Sequence, residues 1–143
     1  MKEAVHASCV AIDGRAVLIF GASGAGKSDL ALRLIDRGAV LVSDDYTDLT
    51  IAKGRLLASP PATIAGKLEM RHVGIVDHPF VTDVPVAVAI DLDRPPERLP
   101  EPTTRAFRDI PVPLIGLNAL EPSAPLKVEA ALAIHGLPFP CRP

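Results

Sequence analysis

A chain of 143 residues, 48% hydrophobic and carrying a net charge of −2, is long and apolar enough to bury one sizeable core. Aromatic residues make up 3% and Trp is absent, so that core must be aliphatic. Near-neutral charge with no long basic run argues against nucleic acid or an anionic membrane as a partner. The two cysteines, Cys9 and Cys141, lie far apart without metal-type spacing; Cys9, in an apolar strand-like run, reads as a small core residue, and Cys141 is assigned no role. With no secretory signal and no apolar run long enough to span a bilayer, the expectation is a soluble cytoplasmic protein.

The first element is a hairpin in "VHASCVAIDGRAVLIFG". Two apolar runs meet at Asp13-Gly14, the dipeptide that suits a type I′ turn. A two-residue turn pairs Ile12 with Arg15 and, carried outward, sets His6 opposite Gly21. Then "KSDLALRLIDRG" places Leu30, Ala31, Leu34 and Ile35 on one helical stripe, with Gly38 just past its end. The apolar "AVLV" that follows predicts a strand, and strand–helix–strand predicts a right-handed parallel unit. That strand runs into "SDD", which brings Asp44 and Asp45 to the strand end where α/β proteins bind ligands.

Leu49 to Leu57 reads as one or two short strands around Gly54. "SPPATIAGKLEMRHVGIVD" begins as a loop and then alternates weakly; if extended, it sets Glu69 and Arg71 on one face. "VPVAVAIDLD" is a buried strand with Pro85 at its mouth. "RPPERLPEPTTRAFRDIPVP" reads as an irregular surface connection. "SAPLKVEAALAIHG" closes with a helix, Ser123 as N-cap and Gly136 beyond its end. The whole reads as a single domain over residues 1–143, without repeats.

The stretch Gly21-Ala22-Ser23-Gly24-Ala25-Gly26-Lys27-Ser28 fits G-x-x-x-x-G-K-[ST] between a strand and a helix, the context of a phosphate-binding loop. Its glycines allow backbone amides to turn inward, and the helix start adds free N–H groups and partial positive charge. Lys27 supplies a cation for the β- and γ-phosphates of ATP, and Ser28 a hydroxyl for Mg²⁺. Phosphoryl transfer also needs a group to position or deprotonate the nucleophile. Asp44 and Asp45 are the available carboxylates, one for metal and one for a proton, although such a pair can also cap a turn. On spacing alone Glu69 and Arg71 form a solvated pair, and His72, Asp77 and His78 fit no zinc pattern.

The histidine, loop, aspartate pair and "LEMRHVGI", in that order and at that spacing, resemble the catalytic domain of HPr kinase/phosphorylase. The resemblance is dense from His6 to about Val76. It implies an α/β fold, a phosphate-loop variant like that of phosphoenolpyruvate carboxykinase with a sheet flanked by helices, here opening on the hairpin. It also implies an ATP- and Mg²⁺-dependent serine kinase acting on an HPr-like phosphocarrier, assembled as a homo-oligomer, commonly a hexamer. By resemblance His6, Lys27, Asp45 and Arg71 are catalytic, Asp45 taking the proton of the target serine. Residues 21–28 hold the nucleotide, and Ser28, Asp44 and Glu69 hold the metal.

Four departures accompany the resemblance, the first being that the family usually has an N-terminal domain ahead of this one, so the expectation is a short form without it. His72 stands where the L-E-x-R segment normally continues with glycine. The family's flexible loop with a catalytic arginine has no match in "HPFVTDVPVAVAI", which leaves Arg94, Arg98, Arg105 and Arg108 as unranked substitutes. The loop linked to dephosphorylation is altered in "IPVPLIGLNALEP", so the kinase direction is expected and the reverse phosphorylase reaction is left open. Two other readings stand beside this one: a small-metabolite kinase using Arg94 to Arg108 as a lid, and a nucleotide-sensing module without catalysis.

Overall fold

The computed structural model describes residues 2–139, and Cys141 lies outside them. A three-residue strand, β1 (Glu3–Val5), precedes the hairpin of β2 (Ser8–Ile12) and β3 (Arg15–Phe20). These two pair antiparallel from Ile12↔Arg15 out to Ser8↔Ile19, the register of a two-residue turn. Asp13 and Gly14 have φ of 51° and 79°, the double positive φ of type I′. The expected pairing of His6 with Gly21 is not made, because the ladder ends at Ser8. There the Ala7 N–H bonds Val5 O at 3.0 Å and bends the chain at His6. β1 then leaves to pair with β5 (Thr47–Ala52).

Helix α1 (Lys27–Asp36) buries Leu30, Ala31 and Leu34 completely, and Ile35 packs at the margin of the same cluster. Gly38, at φ 111°, donates to Ile35 O, and Ala39 donates to Leu34 O. This pair of bonds is a Schellman ending, and it satisfies carbonyls that the last turn leaves open. The next strand, β4 (Val40–Ser43), lies antiparallel to β2. β3 and β4 therefore run the same way, as the strand–helix–strand pattern predicts, but with β2 wedged backwards between them.

β5 and β6 (Arg55–Ser59) form a second hairpin about Lys53-Gly54. β7 (Lys67–Met70) and β8 (Gly74–Asp77) make a separate two-stranded sheet. Its turn corrects the expectation that Glu69 and Arg71 share a face. Val73 N–H bonds Met70 O at 2.9 Å and His72 takes φ 75°, so the strand stops before Arg71.

β9 (Val84–Asp91) is the central strand. It runs parallel to β3 along one edge. Its other edge is shared: Val84 and Pro85 pair with β6, and residues 89–91 pair with β11 (Ile110–Gly116). The segment read as an irregular connection over 94–113 is irregular only at first. From Thr104 to Phe107 it forms β10, which pairs antiparallel with β11. The prolines of β11 do not prevent this. Leu114 N–H donates to Thr103 O on the β10 side, so by alternation the nitrogens of Pro111 and Pro113 face the opposite edge. On that edge the pairing with β9 starts only at Leu114, and no ladder bond is lost.

Helix α2 (Ala124–His135) begins after Ser123 and ends at Gly136, as expected, although the Ser123 hydroxyl makes no cap bond. Side chains of β3 alternate between two aliphatic clusters. Val17 and Ile19 face α1 and α2; Ala16, Leu18 and Phe20 face away from them. The expected sheet flanked by helices is thus a mixed α/β fold with both described α-helices on one face. The other face is closed by the sheet's own curl, through Leu49, Leu56, Phe107 and Val112. A small apolar chain can bury both faces this way because its central strands, β3 and β9, are near-continuous hydrophobic runs rather than alternating ones.

Candidate active site

The loop of residues 21–26 leaves the end of β3 under tight steric control. Leu92 N–H bonds Phe20 O at 2.8 Å, and a Cβ at Gly21 would lie 2.9 Å from Ala25 Cβ and 3.1 Å from Leu92 Cβ. Gly26 forms the N-cap of α1 at φ 100°, and no side chain caps the first turn. Its N–H groups therefore have no side-chain acceptor and are suited to an anion. Lys27 is buried, with Nζ donating to Gly21 O at 2.7 Å and Ala22 O at 3.2 Å. Two of the three ammonium donors are thereby committed to the loop, which fixes where the charge sits.

Ser28 links this loop to the aspartate pair, its Oγ donating to Asp44 Oδ1 at 2.7 Å. Asp44 is 6% exposed and is held from three sides. Ser8 Oγ also donates to Oδ1 at 2.9 Å, and Glu69 N–H donates to Oδ2 at 3.2 Å. A buried carboxylate must be met by donors in this way or lose its charge.

Asp45 is different: its side chain is 61% exposed and its Oδ1 lies 2.9 Å from His6 Nε2. For that contact Nε2 must carry the proton and donate. The His6 ring also stacks on Tyr46, centroids 5.0 Å apart, which limits its swing. Asp45 takes φ 70°, a left-handed conformation that costs a side-chain-bearing residue about 1 kcal/mol and that Asp tolerates better than most.

The fold thus brings His6, Lys27, Ser28, Asp44 and Asp45 together, with the backbone of Glu69 against Asp44. The Glu69 side chain is exposed, and Arg71 is exposed in the β7–β8 turn. Among the described residues no cluster of three or more His, Cys, Asp or Glu is placed to hold a metal on its own. The side-chain oxygens gathered at Asp44 are instead its own carboxylate and the hydroxyls of Ser8 and Ser28, while exposed Glu69 meets Asp44 through its N–H. These hard oxygens fit Mg²⁺ rather than zinc.

Two residues absent from the sequence reading also belong here. Ser8 sits at the start of β2, fully buried, and contacts both aspartates. Asp93 accepts the Ala22 N–H at 2.8 Å. Asp93 had a usable signal, since it closes "DLD" at the carboxyl end of the strand beside the loop. Ser8 had none, because the chain bends at His6 and its place depends on the pairing of β2 with β4.

Residues 1–82 match the family model described as HPr Serine kinase C-terminal domain, a span that holds the loop, both aspartates and the β7–β8 hairpin. The chain belongs to this family. The HPr kinase/phosphorylase of Clostridium tetani (strain Massachusetts / E88) is 45% identical over 75 residues, 52% of this chain and 25% of that protein. That of Clostridium botulinum (strain Eklund 17B / Type B) is 44% identical over 73 residues, 51% of this chain and 24% of that protein. The chain thus spans about a quarter of the length of these curated relatives. The solved structure of the Hpr(Ser) kinase/phosphatase from Coxiella burnetii has a TM-score of 0.81 and 33% identity. It covers 93% of this chain and 90% of its own, so the shared fold extends past the family match into β9–β11 and α2.

Proposed function

We propose that residues 1–143 form the catalytic unit of an ATP- and Mg²⁺-dependent protein-serine kinase acting on an HPr-like phosphocarrier. The observation that carries this reading is the His6–Asp45 contact at 2.9 Å, joined through the neighbouring Asp44 to the loop serine Ser28. Residues 21–28 would cradle the ATP phosphates, with the Lys27 ammonium held on Gly21 O and Ala22 O so that it need not be repositioned at the moment of reaction. Ser28, Asp44 and Glu69 would hold Mg²⁺, which when bound neutralises phosphate charge and orients the transferring group.

Asp45 would accept the proton of the target serine hydroxyl as its oxygen bonds to the γ-phosphorus, while ADP departs with the electron pair of the broken bond. His6 keeps the accepting carboxylate in place by donating to it. The exposure of Asp45 suits a hydroxyl offered by another protein better than one enclosed with a small metabolite. Arg71, on the exposed turn beside β7, would meet the incoming carrier or its phosphate. Leu126 and Ile134, exposed on α2, are available for cover in a homo-oligomer. No described helix is long and apolar enough to cross a membrane, and a cytoplasmic carrier implies a cytoplasmic kinase.

The test is phosphotransfer from γ-labelled ATP to the organism's HPr-like protein, with the labelled residue located by mass spectrometry. Label on a carrier serine is expected. Label on a small metabolite, or ATP binding without transfer to any acceptor, would displace the reading. In the Asp45→Ala variant transfer should fall by about 10² to 10⁴, the usual contribution of a proton-accepting group, while ATP still binds. Full turnover in that variant removes Asp45 from the mechanism.

A further inference from the structure

Ser8 is fully buried, yet its hydroxyl is engaged in both directions. It donates to Asp44 Oδ1 at 2.9 Å and accepts the backbone N–H of Asp45 at 3.2 Å. Asp44 Oδ1 is also the oxygen that Ser28 Oγ reaches at 2.7 Å. One chain of hydrogen bonds therefore runs from the phosphate loop, Ser28 to Asp44 to Ser8, and ends on the main chain of Asp45.

The end point matters because Asp45 holds a left-handed backbone at φ 70°. A residue in that region persists only where its surroundings fix it. Two groups hold it, the Ser8 hydroxyl on its N–H and the His6 ring on its carboxylate; Ser8 opens β2 and His6 lies in the bend just before it. Between them Ala7 O accepts the Thr47 hydroxyl at 2.8 Å, pinning the other side of the aspartate pair to the same segment.

We propose that Ser8 is a positioning residue that couples the nucleotide side of the site to its acceptor side, setting the Asp45 carboxylate through the Asp44-bound hydroxyl. It touches neither substrate. Its part is to make the placement of the proton acceptor depend on the carboxylate that meets the loop serine. This rests on the kinase reading above, and the experiment separates the two.

The experiment compares wild type with Ser8→Ala in three measurements: kcat for transfer to the HPr-like protein, the ATP dissociation constant, and hydrogen exchange of the Asp45 amide by NMR. The variant should keep its ATP affinity within about threefold, because Lys27 and the loop amides are untouched. Its kcat should drop about 10- to 100-fold, the scale of a misplacement near 1 Å. The Asp45 amide should exchange at least tenfold faster while amides of β3 and β9 keep their protection. An unchanged kcat, or a loss of ATP affinity in step with kcat, overturns the proposal, the latter because it marks a general structural role. If wild type transfers phosphate to no protein, the kinase reading fails instead. The amide exchange then decides the Ser8 link by itself, and protection at Asp45 unaltered by Ser8→Ala sinks it.

Discussion

Cys9 shows what burial does to a single ionisable group. Its thiol is fully enclosed, and desolvation pushes its pKa far above the ordinary value of about 8.5. Because the folded state favours the protonated form, its contribution to stability is complete below the unfolded-state value and declines as pH rises past it. Between pH 8.5 and 10 the urea midpoint of wild type should therefore fall more steeply than that of Cys9→Ala. The slope is bounded by about 1.4 kcal/mol per pH unit. In a Cys141→Ser background the native protein should also resist thiol reagents at pH 8 and react once unfolded. Fast labelling of the native protein would contradict the burial.

At the same scale, the loop residues and the aspartate pair were legible because their chemistry is tied to short spacing. Ser8 was not. Nothing in a serine within an apolar run distinguishes a strand residue from a ligand of two carboxylates until β2 is known to lie beside β4. The shared face of Glu69 and Arg71 was conditional on an extended segment, and that condition fails at the turn that His72, at φ 75°, makes possible.

Among the elements, turn chemistry transferred best from sequence to structure. Asp13-Gly14 and Gly38 have the φ values their positions demand, and both sit where short-range pattern places them. Lys53 is less well matched, since it precedes Gly54 in a double-positive turn at φ 52°. Lys53→Asn should stabilise the β5–β6 hairpin by roughly 0.5 kcal/mol, because Asn enters the left-handed region at less cost. An equilibrium urea titration that shows a loss would mean the Lys53 side chain contributes more than its backbone costs. The β10–β11 hairpin escaped the sequence reading because proline was counted against it. Which edge of a strand a proline faces is set by its partners, and a single chain does not display them. The same holds for β2: its antiparallel insertion leaves the local pattern of β3–α1–β4 unchanged.

For the whole molecule, two aliphatic clusters on opposite sides of β3 make loop, strand and helices one cooperative unit. Nucleotide held by residues 21–28 should stabilise all of it. At a hundredfold excess over its dissociation constant MgATP would add about 2.7 kcal/mol, provided the unfolded chain does not bind. In thermal unfolding that amounts to a rise in Tm of several degrees for a domain of this size. No rise at saturating MgATP would contradict nucleotide binding, and with it the kinase reading.

The reversed strand β2 gives the molecule a remote handle. Its first residues stand at the catalytic edge and its far end is the Asp13-Gly14 bend, five residues away, so about 17 Å separates them. A fluorophore or short affinity tag grafted at that bend would report on β2 from the end away from the aspartate pair.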